Sequence, residues 1–282
     1  MSEKITISEK ELKCFEQYLI ENERCRSTIE KYLSDVRQFG IWINNRELSK
    51  ETLIEWRETL ITSNYKFATI NGKIAAINCF LRMTGYQNLT LKSLKIQRQI
   101  FRNQDRVLTK EEYAALIKGA EETNNERLLL IMETICSTGI RVSELQNVTV
   151  EALLRGNAEI RLKGKIRVIM FPQKLIRKLL KYVKKSKIDK GPIFITRSGN
   201  SISRKQVWAE MKSLCQIAKV ASTKVFPHNL RHLFARCFYK ACKDIVRLAD
   251  ILGHSNVDTT RIYLISSGYE HIKMIERLNL II

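Results

Sequence analysis

Proline and glycine are scarce in this chain, at 3 and 11 among 282 residues. With 44% apolar residues, that shortage excludes a disordered chain and favours a globular one rich in helix. No apolar run approaches the ~20 residues that a membrane-spanning helix needs. The first residues, MSEKITISEKE, lack the apolar core of a signal peptide. The seven cysteines (14, 25, 79, 136, 215, 237 and 242) form no CxxC pair, so buried free thiols in a reducing cytoplasm are expected. His228 and His232 stand four apart with no carboxylate or thiol at motif spacing, which argues against zinc.

Acidic residues are also in deficit: 29 Asp and Glu face 49 Lys and Arg, a net charge of +20. Such an excess predicts a polyanionic partner, nucleic acid or an anionic membrane surface. Before Asp105 the balance is 17 basic against 12 acidic residues; from Asp105 onward it is 32 against 17. The charge thus gathers in the second half, and the lack of apolar runs leaves DNA as the better partner.

The first hundred residues read as four helices. Ser8 with Glu11 and Ser27 with Glu30 are capping-box pairs that mark helix starts. A third helix is expected over 50–61 and a fourth over 68–83, stopping at Gly85. Residues 94–107, LKIQRQIFRNQDRV, are basic, weakly periodic and without a turn glycine, and they read as a linker. Thr109 with Glu112 opens the next domain as another capping box. There, 125–138 is strongly apolar and ends at Gly139, a natural helix stop. Residues 157–171 change period and read as a β-hairpin around a KGK turn, with a third short strand expected over 192–196. Helices resume from Ser203. The fold expected is mainly α with a small antiparallel sheet, in two domains.

Two short C-terminal segments carry the chemistry. PHNLRH and LGHSNVDTTRIY set His228, Arg231, His254 and Tyr263 in order; Arg231 to His254 is 23 positions and His254 to Tyr263 is 9. Arginine offers phosphate oxygens fixed, forked donors. Histidine can move a proton near neutral pH. Tyrosine can become a covalent intermediate, although a hydroxyl with an ordinary pKa of about 10 needs help to attack. Upstream stand Arg141 in TGIRVSEL and Lys163 in RLKGKIRVI. In this order and spacing the chain resembles the tyrosine recombinases, the phage integrase and Xer-like site-specific recombinases, over roughly its last two-thirds.

The resemblance implies a role for each residue. Tyr263 would attack the scissile phosphate to give a 3′-phosphotyrosyl link. Arg141 and Arg231 would clamp the non-bridging oxygens, His228 would accept the tyrosine proton, and His254 would donate a hydrogen bond to the phosphate. Lys163 would be general acid to the 5′-oxygen, with Lys165 as rival, because LKGKIR is one turn residue shorter than the family's hairpin. Glu144 would buttress Arg141. His232 and His271 receive no role, and no cofactor or metal is implied.

It also implies a helical, SAM-like core-binding domain over 1–93, the linker over 94–107, and a catalytic domain over 108–282. The last helix, over 269–281, would dock on a neighbouring protomer. The partner implied is double-stranded DNA with inverted-repeat core sites, bound by a homotetramer, with a heterotypic subunit as a further possibility, in the cytoplasm at the nucleoid. Two alternatives fit charge and helix content: a non-catalytic DNA-binding regulator, and an enzyme like the type IB topoisomerases. A pure binder has no need of the full catalytic set, and the LGH spacing favours the recombinase. Starting directly with the four-helix domain, the chain resembles the simple Xer-type or small transposon-borne enzymes.

Overall fold

The structure is a computed structural model and describes residues 7–44, 46–95, 106–162, 165–254, 256–264 and 276–278. It divides into two compact units, 1–98 and 99–282. Among the described residues no helix is long and apolar enough to cross a membrane.

The first unit holds four helices: α1 (Glu9–Glu21), α2 (Arg26–Ile43), α3 (Lys50–Thr62) and α4 (Phe67–Met83). The Ser8 box forms in full, with each partner's side chain on the other's backbone amide. The box expected at Ser27 does not. Helix α2 starts earlier, after an extended Cys25, and Glu30 is spent on an ion pair with Arg26 at 3.0 Å. Phe15 meets Phe80 edge-on at 5.3 Å and Phe39 meets Trp56 at 5.1 Å, so aromatic rings from all four helices fill the core. Buried Asp35 is matched by Lys73 at 3.1 Å.

The second unit is built around α6 (Glu126–Thr138), apolar on most of its circumference and correspondingly buried. Around it lie α5 (Lys110–Glu122), capped by the Thr109 box, α8 (Gln173–Lys185) and α9 (Arg204–Ile217), with α7 (Val150–Arg155) packed on α8. Three further helices, α10 (Pro227–Cys242), α11 (Ile245–Leu252) and α12 (Val257–Leu264), complete it. Strands β1 (Asn157–Leu162) and β2 (Lys165–Met170) pair antiparallel, with Ile160 opposite Arg167 and Leu162 opposite Lys165. The expectation of a mainly α fold with a small antiparallel sheet holds.

Among the described residues the third strand is missing. Residues 192–196 contribute isolated bridges, Thr149 to Pro192 and Ile195 to Ser201. Pro192 has no N–H to extend a ladder. Of the seven cysteines, expected to be buried, Cys79 alone is buried, while Cys14, Cys25 and Cys242 are exposed. Residues 96–105 of the expected linker lie outside the described residues, as does most of the expected C-terminal helix, His271 included.

Candidate active site

Four turns bring the site together. Helix α6 stops at Gly139, whose φ is +67°. A Cβ there would stand 2.5 Å from the Phe234 ring, so the position is closed to side chains. Two residues on, Arg141 heads a 3₁₀ turn, Val142–Asn147. Its amide donates to Glu144 Oε2 at 2.7 Å and its Nη1 to Oε1 at 2.9 Å. The expected Arg141–Glu144 pair is therefore present, with both carboxylate oxygens engaged.

Helix α10 starts with Pro227 in its first turn, where the missing N–H costs nothing. His228, Arg231 and His232 follow at i, i+3 and i+4, on one face. Arg231 is 1% exposed. Burying a guanidinium is tolerated where its donors are met, and each of the three nitrogens has an acceptor. Nη1 donates to the Gly139 carbonyl, Nη2 to the Leu252 carbonyl at 2.8 Å and to His254 Nε2 at 3.0 Å, and Nε to Tyr263 Oη at 3.4 Å.

Helix α11 is capped by Asp244 and ends at Gly253, φ +67°, which turns the chain so that His254 faces Arg231. A guanidinium can only donate, so His254 Nε2 accepts. The proton then lies on Nδ1, which donates to Thr260 Oγ1 at 2.8 Å. Burial, followed by the charges of Arg231, Arg141, Arg167 and His228, pushes the imidazole down to about 4. His254 is thus neutral near pH 7.

Tyr263, one turn beyond fully buried Thr260 in α12, is 5% exposed. Three imidazoles surround its ring: His232 at 4.4 Å, His254 at 5.5 Å and His228 at 5.8 Å between centroids. His228 itself is exposed, while His232, to which the sequence assigned nothing, is 5% exposed.

The structure therefore brings Arg141, Glu144, His228, Arg231, His254 and Tyr263 together. Lys163 lies outside the described residues; Lys165 is placed only by its strand register. Sequence reasoning missed Thr260 and, more consequentially, Arg167. The latter's Nη2 reaches Glu144 Oε2 at 3.2 Å and its Nη1 the Leu252 carbonyl. Burial lowers Arg167 to about 10 against the pull of Glu144, and it stays charged at neutral pH. Three guanidiniums thus face one carboxylate, leaving an excess of positive charge suited to an anion. Among the described residues no group of three or more His, Cys, Asp or Glu side chains could hold a metal ion.

The family model for the phage integrase family matches residues 106–268, which include every one of these side chains. The chain belongs to the phage integrase family. Its members are tyrosine recombinases, enzymes that cleave and rejoin DNA. Over 280 residues the chain is 28% identical to tyrosine recombinase XerA of Thermococcus kodakarensis, covering 94% of this chain and 95% of that one. It is 36% identical over 166 residues to XerH of Campylobacter jejuni, covering 55% of this chain and 47% of the relative. Among solved structures, a lambda integrase tetramer bound to a Holliday junction superposes with a TM-score of 0.72 at 17% identity, covering 90% of this chain and 76% of that one. In a tyrosine recombinase, a buried tyrosine touching a buried arginine is the arrangement to explain.

Proposed function

We propose that the chain is a site-specific recombinase in which Tyr263 is the nucleophile. The observation that carries this reading is the 3.4 Å contact between Tyr263 Oη and Arg231 Nε, inside a cluster of three guanidiniums and one carboxylate. In the step proposed, Tyr263 Oη attacks phosphorus and the bond to the 5′-oxygen breaks. The phenolic proton passes to His228, and Lys163 (or Lys165) protonates the departing 5′-oxygen. The phosphotyrosyl ester conserves the energy of the broken bond, so a 5′-hydroxyl from the partner duplex reverses the step without ATP. A Holliday junction is the intermediate between the two rounds of exchange.

Charge grows on the non-bridging oxygens in the pentacoordinate transition state, where pre-placed cations stabilise it more than the ground state. Arg141 suits that task because its side chain is 35% exposed while Glu144 fixes its orientation. Arg231 has its donors committed to protein acceptors, and its longest bond is the one to Tyr263. Exchange of that contact for a phosphate oxygen would free the hydroxyl to attack. His254, neutral and protonated on Nδ1, would turn Nε2 into a donor to phosphate only after changing tautomer.

We further propose that the four-helix unit and the basic catalytic unit bind double-stranded DNA with inverted-repeat core sites, as a homotetramer, or one including a related subunit, in the cytoplasm at the nucleoid. The lambda integrase tetramer on a Holliday junction supports that assembly by fold likeness. The test is covalent capture: wild type and Tyr263→Phe are expressed in cells, and DNA that remains attached under denaturing conditions is sequenced. Enrichment at discrete sites by the wild type alone is expected. Equal recovery from both proteins would remove Tyr263 from the role.

A further inference from the structure

Strand β2 breaks the usual pattern of a half-buried strand. Three of its four apolar residues, Ile166, Val168 and Met170, face outward, at 64%, 50% and 74% exposure, while Ile169 is buried in the core. The charged Arg167 points inward instead, with its side chain 10% exposed. Three exposed apolar side chains and one desolvated guanidinium make a costly choice of face. A one-residue change of register would reverse it, so the inward arginine needs a cause.

Its contacts supply one. Arg167 Nη2 holds Glu144 Oε2 at 3.2 Å, and the same carboxylate holds Arg141 through Oε1. Arg167 Nη1 holds the Leu252 carbonyl, which also accepts from Arg231 Nη2 at 2.8 Å. The two acceptors are thus shared in sequence: Arg141, Glu144, Arg167, Leu252, Arg231, then His254 and Tyr263. Gly253 is cut to fit, since a Cβ there would lie 2.3 Å from Arg167 Cδ.

We infer that Arg167 is a positioning residue for strand cleavage, forking between Glu144 and the end of α11 so that Arg141, Arg231 and His254 keep a common register around the phosphate. This rests on the reading of Tyr263 as nucleophile. The residue acts through its neighbours, and the fork is what matters. A lysine keeps the charge but presents one compact ammonium, which cannot reproduce a planar fork reaching two separate acceptors. Displacement of catalytic groups by about 1 Å can cost roughly 100-fold in rate.

The experiment compares full-length wild type, Arg167→Lys, Arg167→Gln and Tyr263→Phe on a nicked duplex carrying a site recovered by covalent capture. Single-turnover cleavage, DNA affinity and melting temperature are measured, with the His254 imidazole titration followed by NMR. At matched folded fraction Arg167→Lys is expected to cleave roughly 100-fold more slowly, with a lowered melting temperature from the buried acceptor it leaves unmet, while its affinity and His254 titration stay at wild-type values. Arg167→Gln is expected to lose as much cleavage and, with one positive charge gone, to raise the His254 pKa. Wild-type cleavage by Arg167→Lys overturns the inference while leaving Tyr263 in place. A loss of cleavage matched by an equal loss of DNA affinity overturns it too, by making Arg167 a DNA contact. Cleavage by Tyr263→Phe instead overturns the nucleophile reading on which it rests. Should Arg167→Gln fail to fold, Arg167→Lys decides alone.

Discussion

Arg231 Nη2 donates to His254 Nε2 at 3.0 Å, and burial, with this guanidinium's charge second, holds the imidazole neutral before any DNA arrives. A protonated ring would turn an N–H toward a guanidinium, with Arg141 and Arg167 adding to the repulsion. The neutral ring instead accepts from Arg231 and donates to Thr260.

The pH dependence of stability follows. The folded His254 is lowered from 6.5 to about 4, so between those values the unfolded chain binds more protons than the folded one. Its contribution to stability is complete above about pH 6.5 and is lost as pH falls toward 4. Denaturant melts of wild type and His254→Gln from pH 7 to 4 should converge as pH falls. Parallel curves would mean that the ring titrates normally in the folded state.

Tyr263→Phe separates chemistry from architecture. The hydroxyl accepts a long bond from Arg231 Nε, and the ring packs with Ala235, Leu248 and Leu252 whether or not it carries oxygen. Stability should fall by about 1–3 kcal/mol, the cost of leaving buried Arg231 Nε without its acceptor, while covalent capture of DNA disappears. A variant that cleaves at the wild-type rate would sink the assignment of the nucleophile.

The clustering of these side chains was legible in the sequence because spacing along α10, α11 and α12 is a local quantity. Arg231, His254 and Tyr263 sit 23 and 9 positions apart, and helices of fixed rise turn those separations into one cluster. Arg167 was not legible. Alternation in IRVIM marks two faces without saying which is inside, and apolar bias points to the wrong one. The partner that decides it, Glu144, lies 23 residues away. Ser27 shows the same limit on a smaller scale: its box is written correctly, but Arg26 competes for Glu30 and wins. Pro192 to Thr196 reads as a short strand, yet Pro192 and Ile195 each make only an isolated bridge, to Thr149 and Ser201, and no ladder forms between them.

Glu144 should be the costliest single carboxylate to remove. It is 4% exposed and bonded to two arginines. Deleting one partner of a buried charge network leaves the others uncompensated, at about 3–5 kcal/mol. Glu144→Ala should therefore lower the denaturant midpoint markedly without changing the slope, whereas removal of the exposed Glu30 from its pair with Arg26 should cost well under about 1 kcal/mol. Similar losses for the two would mean that the pairs on Glu144 do not persist in solution.

Gly253→Ala tests the turn between α11 and His254 on two counts. A φ of +67° costs a residue with a Cβ about 1–2 kcal/mol. The new methyl would also fall 2.3 Å from Arg167 Cδ, and Arg167 can withdraw only by leaving the Leu252 carbonyl or Glu144. Both effects act on the segment that carries His254, so cleavage should fall further than stability explains. Gly85→Ala is the control, since Gly85 has a φ of +87° with nothing within 4 Å of its would-be Cβ. It should show the backbone cost alone and cleave normally, as judged by single-turnover rates at matched folded fraction. Equal cleavage by Gly253→Ala would mean that the Arg167 contact at this turn is dispensable for placing His254.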